Sequence, residues 1–116
     1  MSNTQAICNS FKLELLEGIH AFGTTVVRAG TTADTFKAAL YFASATYNAS
    51  TTAYSTTGEV TSSGYTAGGV TVSASAPALA SAVAHWTPAA SFAWTGITVT
   101  AFDTVLIYNS TQSNKA

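Results

Sequence analysis

The stretch TFKAALYFA, residues 35–43, carries the clearest period-two pattern in this sequence. Apolar residues occupy every even-numbered position, among them Phe36, Leu40 and Phe42, while Lys37 falls on the other side. Successive side chains of a strand point to opposite faces, so the pattern predicts a β-strand with one strongly apolar face.

Other segments on both sides of this stretch have strand character. They are TVVRA (25–29), a strand that begins with Val70 and Val72, ALASAVAHW (78–86), ITVTAF (97–102) and TVLIYN (104–109). The stretch at 44–57 lacks periodicity and is predicted to be a long loop. Six to eight short strands separated by turn signals predict an all-β fold, an antiparallel β-sandwich of the jelly-roll type, over about residues 22–109.

One short N-terminal helix precedes the sandwich. Ile7, Phe11 and Leu15 are spaced four apart and form an apolar helical stripe, and Gly18 stands where a C-terminal cap belongs. We therefore expect a helix at about residues 5–17 and a frayed polar tail at 110–116, with the whole chain 1–116 forming a single domain. The predicted core consists of Phe11, Leu15, Phe36, Leu40, Phe42, Val72, Val83, Val99, Val105 and Ile107.

The chain carries unusually little charge. Only 8% of its residues are Asp, Glu, Lys or Arg, against roughly 25% in typical soluble domains, and the formal net charge is −1. With no cluster of Lys and Arg, neither nucleic acid nor a membrane surface is an expected partner. No apolar run reaches the roughly 18 residues of a membrane-spanning helix, and the polar N-terminus does not resemble a signal peptide. The single Cys8 cannot form an internal disulfide, which fits synthesis in a reducing cytoplasm.

The glycines at 58–69 do not form a phosphate loop, because no lysine follows and the segment leads into a strand. SSGYTAGG is predicted to supply turn positions with positive φ, with Tyr65 packed over the turn.

The sequence nominates no catalytic residue, no metal ligand and no cofactor, so we expect a protein that is not an enzyme. His20 follows the helix cap and is expected to interact with the last helical carbonyls, and His85 to be a half-buried strand residue. The carboxylates, including Glu14 and Glu59, are expected to be solvated or turn-forming, and Cys8 to be a small core residue. A triad of His85, Asp103 and one of the serines has no supporting motif.

Trp86 and Trp94 allow two interpretations. Aromatic side chains on a β-sandwich can form a stacking platform for sugars, which is the alternative of a carbohydrate-binding module. The favoured interpretation places both indoles in the core of a small domain.

Residues 60–102 contain no charged side chain at all. Such a surface suits contact with other protein, because the cores of protein interfaces are depleted of charge. The candidate interface residues are neutral hydroxyls within this stretch: Thr61, Ser62, Ser63, Thr66, Thr71 and Ser73.

Several motifs, taken in order, resemble a family of small virion proteins of tailed bacteriophages. They are FKLELLEGIH at 11–20, KAALY at 37–41, EV at 59–60 with GYTAGG at 64–69, and Trp86 followed by LIY at 106–108. The similarity extends over nearly the whole chain. It departs at Phe102 and Asp103, where the family pattern has an Arg-Tyr pair.

The resemblance implies a structural role in the virus particle, most plausibly as a capsid decoration or cement protein. It implies the major capsid protein as partner, self-association as a homotrimer, and a location on the capsid surface after synthesis in the host cytoplasm. A neck or tail structural subunit is the nearest alternative within the same particle.

Overall fold

The computed structural model describes residues 3–16, 18–24 and 32–116. Within these residues the chain forms one helix and five strands: α1 (Asn9–Leu16), β1 (Phe36–Tyr41), β2 (Val70–Thr71), β3 (Ala78–Ala80), β4 (Val83–His85) and β5 (Thr104–Asn109). One short helix and small antiparallel sheets agree with the predicted all-β class. The strand predicted at 25–29 lies outside the described residues.

The predicted apolar strand is β1, and it is the centre of a three-stranded antiparallel sheet of order β2-β1-β5. Ala38 lies opposite Val70 on one side and Ile107 on the other. The expectation of one apolar face was too narrow, because Ala39 and Tyr41 on the second face are fully buried as well. A central strand is covered on both faces when loops and the helix pack over the sheet, and such a strand loses its simple alternation.

Two apolar clusters therefore flank β1. On one face Ala39 and Tyr41 pack with Leu106 and Tyr108 of β5 and with residues of the 44–57 loop. On the other face Phe36, Ala38 and Val72 are packed against partly buried side chains, which are Phe11, Phe22, Val70, Trp86, Phe92 and Trp94. The second cluster joins residues that are far apart in the sequence, from Phe11 to Trp94, so it holds part of the charge-free region against the sheet.

The buried face of strand β5 is the opposite of the predicted one. Leu106 and Tyr108 are buried, whereas Val105 and Ile107 remain 37% and 44% exposed. The register explains the difference, because Leu106 lies opposite Ala39 and so shares the first cluster's face.

Of the other predicted core residues, Phe36, Leu40 and Val72 are buried as expected, and Phe11, Phe42 and Val99 are half-buried. Leu15 and Val83 are exposed, contrary to prediction.

Helix α1 is shorter than predicted, since it begins at Asn9, and the side chain it buries is not one of the predicted apolar stripe. Its end has the predicted cap: Gly18 has φ of 71°, its N–H bonds to the Leu15 carbonyl, and Ile19 N–H bonds to the Glu14 carbonyl. The buried position is Glu14, while Leu15 of the expected stripe is exposed. The reason is an ion pair between Glu14 and Lys115, which lies far away in the sequence.

The stretch 78–86, predicted as one strand, is a hairpin. Ser81 and Ala82 form its two-residue turn with φ of 48° and 67°, and Leu79 pairs with Ala84. Residues 97–102, also predicted as a strand, are irregular.

The tail at 110–116 is not frayed as predicted. Lys115 bridges to Ala53 and Asn109, and Ala116 is 4% exposed. Positive φ values at Ser113 and Asn114 turn the chain back onto the loop at 44–57. Polar composition alone predicted fraying, but backbone hydrogen bonds to the rest of the fold hold these residues in place.

Candidate interaction surface

The glycine-rich loop is a turn, as its sequence predicts. Gly64, Gly68 and Gly69 have φ of 82°, 93° and 74°. A Cβ on Gly64 would overlap the carbonyl oxygen of Gly96, and a Cβ on Gly69 would overlap that of Ala38. These glycines bring two chain segments into contact, and the Gly68 N–H is bonded within the protein.

The acceptor for that N–H is Glu59, which was expected to be solvated or turn-forming; it is buried and bonded within the turn. Its carboxylate accepts hydrogen bonds from Gly68 N (2.7 Å), Tyr65 Oη (2.8 Å) and Tyr54 Oη (2.6 Å). Burial, together with the hydrogen bond to the Glu59 carboxylate, raises the pKa of Tyr54 above its ordinary value. The partners lie five, six and nine residues away in loops, where no periodic pattern relates them. Glu59 is therefore a buried anchor of the turn.

A second buried polar cluster joins helix α1 to the tail. Glu14 accepts from Lys115 Nζ at 2.6 Å and from His20 Nε2 at 2.8 Å. Burial opposes ionisation of Glu14, but the hydrogen bonds from Lys115 and His20 outweigh it and hold its pKa below the ordinary value. His20 thus contacts side chains rather than the last helical carbonyls, which corrects the sequence prediction.

Asn109 contacts His20 from the other side. Its Oδ1 accepts two backbone N–H groups of the following turn at 3.1 and 3.2 Å, which directs Nδ2 toward His20 Nδ1 (2.9 Å) and Asp34 Oδ2 (2.7 Å). Each ring nitrogen of His20 therefore has a partner, Nδ1 the Asn109 amide and Nε2 the Glu14 carboxylate. Burial raises the pKa of Asp34, but hydrogen bonds, first from the Ala21 backbone, lower it below the ordinary value. Every polar atom of this cluster has a partner, which is the signature of a structural network.

The remaining candidates for chemistry are dispersed. His85 is exposed in β4, not half-buried as predicted, and the Asp103 carboxylate bonds to Asn3. Cys8 is half-buried against the first cluster, and burial raises the pKa of its thiol, which disfavours the thiolate. Among the described residues no three His, Cys, Asp or Glu side chains are grouped as a metal site. Nor does any helix in the described part of the chain have the length and hydropathy needed to cross a membrane.

Both tryptophans are half-buried against the second cluster. Trp86 packs on Phe22 (4.9 Å between ring centroids) and Phe36 (5.7 Å), and its indole N–H donates to the Ser75 carbonyl. Trp94 contacts Phe92 edge to face. These packed positions favour the core interpretation of the indoles over an open stacking platform.

The six candidate interface residues lie at the surface. Ser62 is half-buried and the other five are exposed. Within the described residues, none of their six hydroxyl oxygens has a hydrogen-bond partner. Their backbones are used in turns, as where Ser63 accepts from Thr98 and Ser73 accepts from Ala89. Six unpaired hydroxyls on ordered backbone are available to an external partner.

The uncharged region around them is almost wholly surface. The stretch between residues 73 and 105 carries only one charge, that of Asp103. Low charge is typical of buried chain, and yet none of these residues is buried. Three residues of the 60–102 stretch, Val60, Gly68 and Val72, are buried, and the others are half-buried or exposed.

No family model, curated protein or solved structure matches this chain.

The most distinctive feature of the described residues is the uncharged surface at 60–102. It includes three large exposed apolar side chains, which are Leu79 at 73% and Val83 at 64% exposure in the hairpin and Phe102 at 54% further along. Extensive uncharged surface with apolar side chains and unpaired hydroxyls is suited to contact with another protein.

Proposed function

We propose that this chain is a non-enzymatic virion protein of a tailed bacteriophage, a capsid decoration or cement subunit that binds the major capsid protein as a homotrimer. One observation carries the proposal: in the uncharged stretch at 60–102 only Val60, Gly68 and Val72 are buried, and every other residue is exposed or half-buried. The resemblance of the spaced motifs to small phage virion proteins supplies the class of particle. The full fold proposed for it is an antiparallel β-sandwich of the jelly-roll type.

Physical reasoning supports a surface of this kind for permanent contact with protein. A charge that enters an interface loses its hydration, and its partner must replace several kcal/mol of that loss. A neutral hydroxyl loses much less and still forms a hydrogen bond, so Thr66 or Ser73 can pair across an interface at small cost.

Assembly multiplies a weak contact. Three linked copies that touch several capsid subunits bind far more tightly than one copy does, without any new kind of contact. Because such a trimer binds the assembled shell and not the separated subunits, it stabilises the shell by mass action. Cement function therefore requires only modest affinity from each copy.

The experiment compares one charge placed inside the uncharged stretch with the same charge placed outside it. Thr66→Lys introduces a lysine at an exposed hydroxyl position within the stretch, and Thr57→Lys does so at an exposed threonine before it. Thr71 is less suitable, because it lies opposite Lys37 across β1 and β2 and a new lysine there would meet a like charge.

Co-sedimentation with undecorated capsid shells measures binding. We expect Thr66→Lys to weaken binding about tenfold or more, which is about 1.4 kcal/mol, and Thr57→Lys to bind like the parent. Equal binding by all three proteins would refute the role of the uncharged stretch. Imaging of labelled particles then counts copies, because many copies over the shell support a decoration protein and a ring at one vertex indicates a neck or tail subunit.

A further inference from the structure

We infer that the β3–β4 hairpin of one copy docks in an apolar groove beside β5 of a second copy. The inference deepens the self-association part of the proposed function and rests on it. It names the two surfaces that meet, neither of which contains the six hydroxyls discussed above.

The hairpin is poorly stabilised within its own chain. All six residues of β3 and β4 are exposed, and among the described elements the two strands contact only each other. Its turn places Ser81 and Ala82 at positive φ, a conformation that is unfavourable for L-residues other than glycine. An isolated two-stranded hairpin is marginal in water even without such strain. No other described element covers Leu79 and Val83, so contact with a further apolar surface would stabilise the hairpin.

The groove is a second exposed apolar feature, with a volume of about 440 Å³. Its walls include Ile7, Phe11, Phe36, Val105 and Ile107. Ile7 is 63% exposed, and the two β5 side chains were expected in the core on sequence grounds. The groove leaves these side chains in water, so an apolar side chain that entered it would bury its own area and theirs.

The groove also borders an open strand edge. In the antiparallel register Leu106 and Tyr108 lie opposite Ala39 and Lys37, and the Asn109 N–H points away from β1 to bond Lys115. By the same alternation the N–H and C=O groups of Val105 and Ile107 point outward, and no described residue pairs with them. An added strand would satisfy these backbone groups while its side chains enter the groove.

A second copy of this chain is the occupant that the surfaces favour. Each copy carries both an apolar two-stranded tip that no other described element covers and an apolar groove beside a strand edge, so two copies supply what each lacks. The base of the hairpin forms one wall of the groove through Trp86, but Leu79 and Val83 do not line it. The tip therefore projects away from its own groove. Because hairpin and groove are different surfaces, the contact is head-to-tail and closes into a ring when the rotation between copies allows.

Charge reversal tests this pairing. Leu79→Lys puts a cation on the hairpin and Ile107→Glu puts an anion in the groove, and both positions are exposed, so neither change disturbs the buried clusters. Light scattering should show that each single variant assembles at least tenfold more weakly than the parent. The double variant should recover assembly, because lysine and glutamate then meet in every contact. Leu16→Lys, at a position 90% exposed and outside both surfaces, should assemble like the parent.

Cross-linking gives a second readout that does not depend on affinity. In a Cys8→Ser background, a protein with both Leu79→Cys and Ile107→Cys should oxidise to covalent multimers. A mixture of the two single-cysteine proteins should give mainly dimers that contain one of each. Oxidation between Leu16→Cys and Ile107→Cys should give no such product.

The outcomes separate this inference from the proposed function. A parent that assembles while both charge variants assemble equally well overturns the hairpin–groove contact and leaves self-association through another face. A parent that stays monomeric and gives no specific cross-link also overturns it, and co-sedimentation with shells then still tests the cement role. Loss of assembly in both single variants with recovery in the double variant supports the contact whatever the shells show.

Discussion

Replacing Gly69 with alanine tests whether the glycine turn holds β2 against the central strand. The new Cβ would overlap the carbonyl oxygen of Ala38 and lie 2.7 Å from Ala39 Cα, both in the backbone of β1. Gly96→Ala is the matched control, because Gly96 also has positive φ (67° against 74°) but its Cβ would meet nothing within 4 Å. The control isolates the conformational cost, roughly 1–2 kcal/mol, from the steric clash.

The clash adds to that cost because the turn must move off β1. Such movement strains the bond from the Gly68 N–H to the Glu59 carboxylate (2.7 Å) and the bond from Tyr108 Oη to the Gly68 carbonyl (2.9 Å). A bond to a charged group contributes about 1.5–3 kcal/mol and a neutral one about 0.5–1.5 kcal/mol. We therefore expect Gly69→Ala to lower the free energy of unfolding by about 3–5 kcal/mol in all.

Urea unfolding followed by circular dichroism and tryptophan fluorescence measures both variants. For a chain of 116 residues the total stability is about 6–17 kcal/mol, so a loss of this size is large but measurable. If the two variants differ by less than about 1 kcal/mol, the close approach of Gly69 to β1 does not stabilise the fold, and the reasoning about this turn is wrong.

Three further predictions concern buried Leu40 and the buried carboxylates. Leu40→Ala should lower the unfolding free energy by about 2–5 kcal/mol by leaving a cavity, whereas Leu16→Ala, at an exposed position, should change it by less than about 0.5 kcal/mol. Glu59→Gln should lower the free energy of unfolding in urea by about 1.5–3 kcal/mol, because an amide cannot replace both acceptor oxygens. An unchanged urea midpoint would mean that solvent replaces these hydrogen bonds. Glu14 and Asp34 both have folded-state pKa values below their ordinary ones, so their contribution is present above the unfolded pKa and disappears as pH falls. Stability should thus decline from about pH 4 downward, and Glu14→Gln should flatten the decline; a parent profile that is flat between pH 6 and 3 contradicts this.

Local sequence was sufficient where the deciding interactions are local. The β1 and β5 segments, the cap at Gly18 and the positive φ of the glycine turn all follow from spacing or from conformations that glycine adopts without strain. Composition likewise identified residues 60–102 as an uncharged stretch, and the structure leaves nearly all of it at the surface.

Tertiary structure decided which faces are buried. Period-two alternation defines two faces of a strand but not which one meets the core, and β5 turned Leu106 inward because of its register with β1. Helix α1 buried Glu14 because Lys115, 101 residues away in the sequence, meets it. The partners of Glu59 lie only five to nine residues away, but in loops where no periodic pattern relates them.

The charged groups show the physical reason most clearly. A carboxylate is exposed by default because its hydration is strong, and only a set of donors brought together by the whole fold replaces that hydration. The sequence contains each donor, but their convergence on Glu14 and Glu59 depends on how loops, tail and helix pack. Local periodicity therefore determined the strands and turns of this protein, while long-range packing determined its buried charges and the apolar side chains left for a partner.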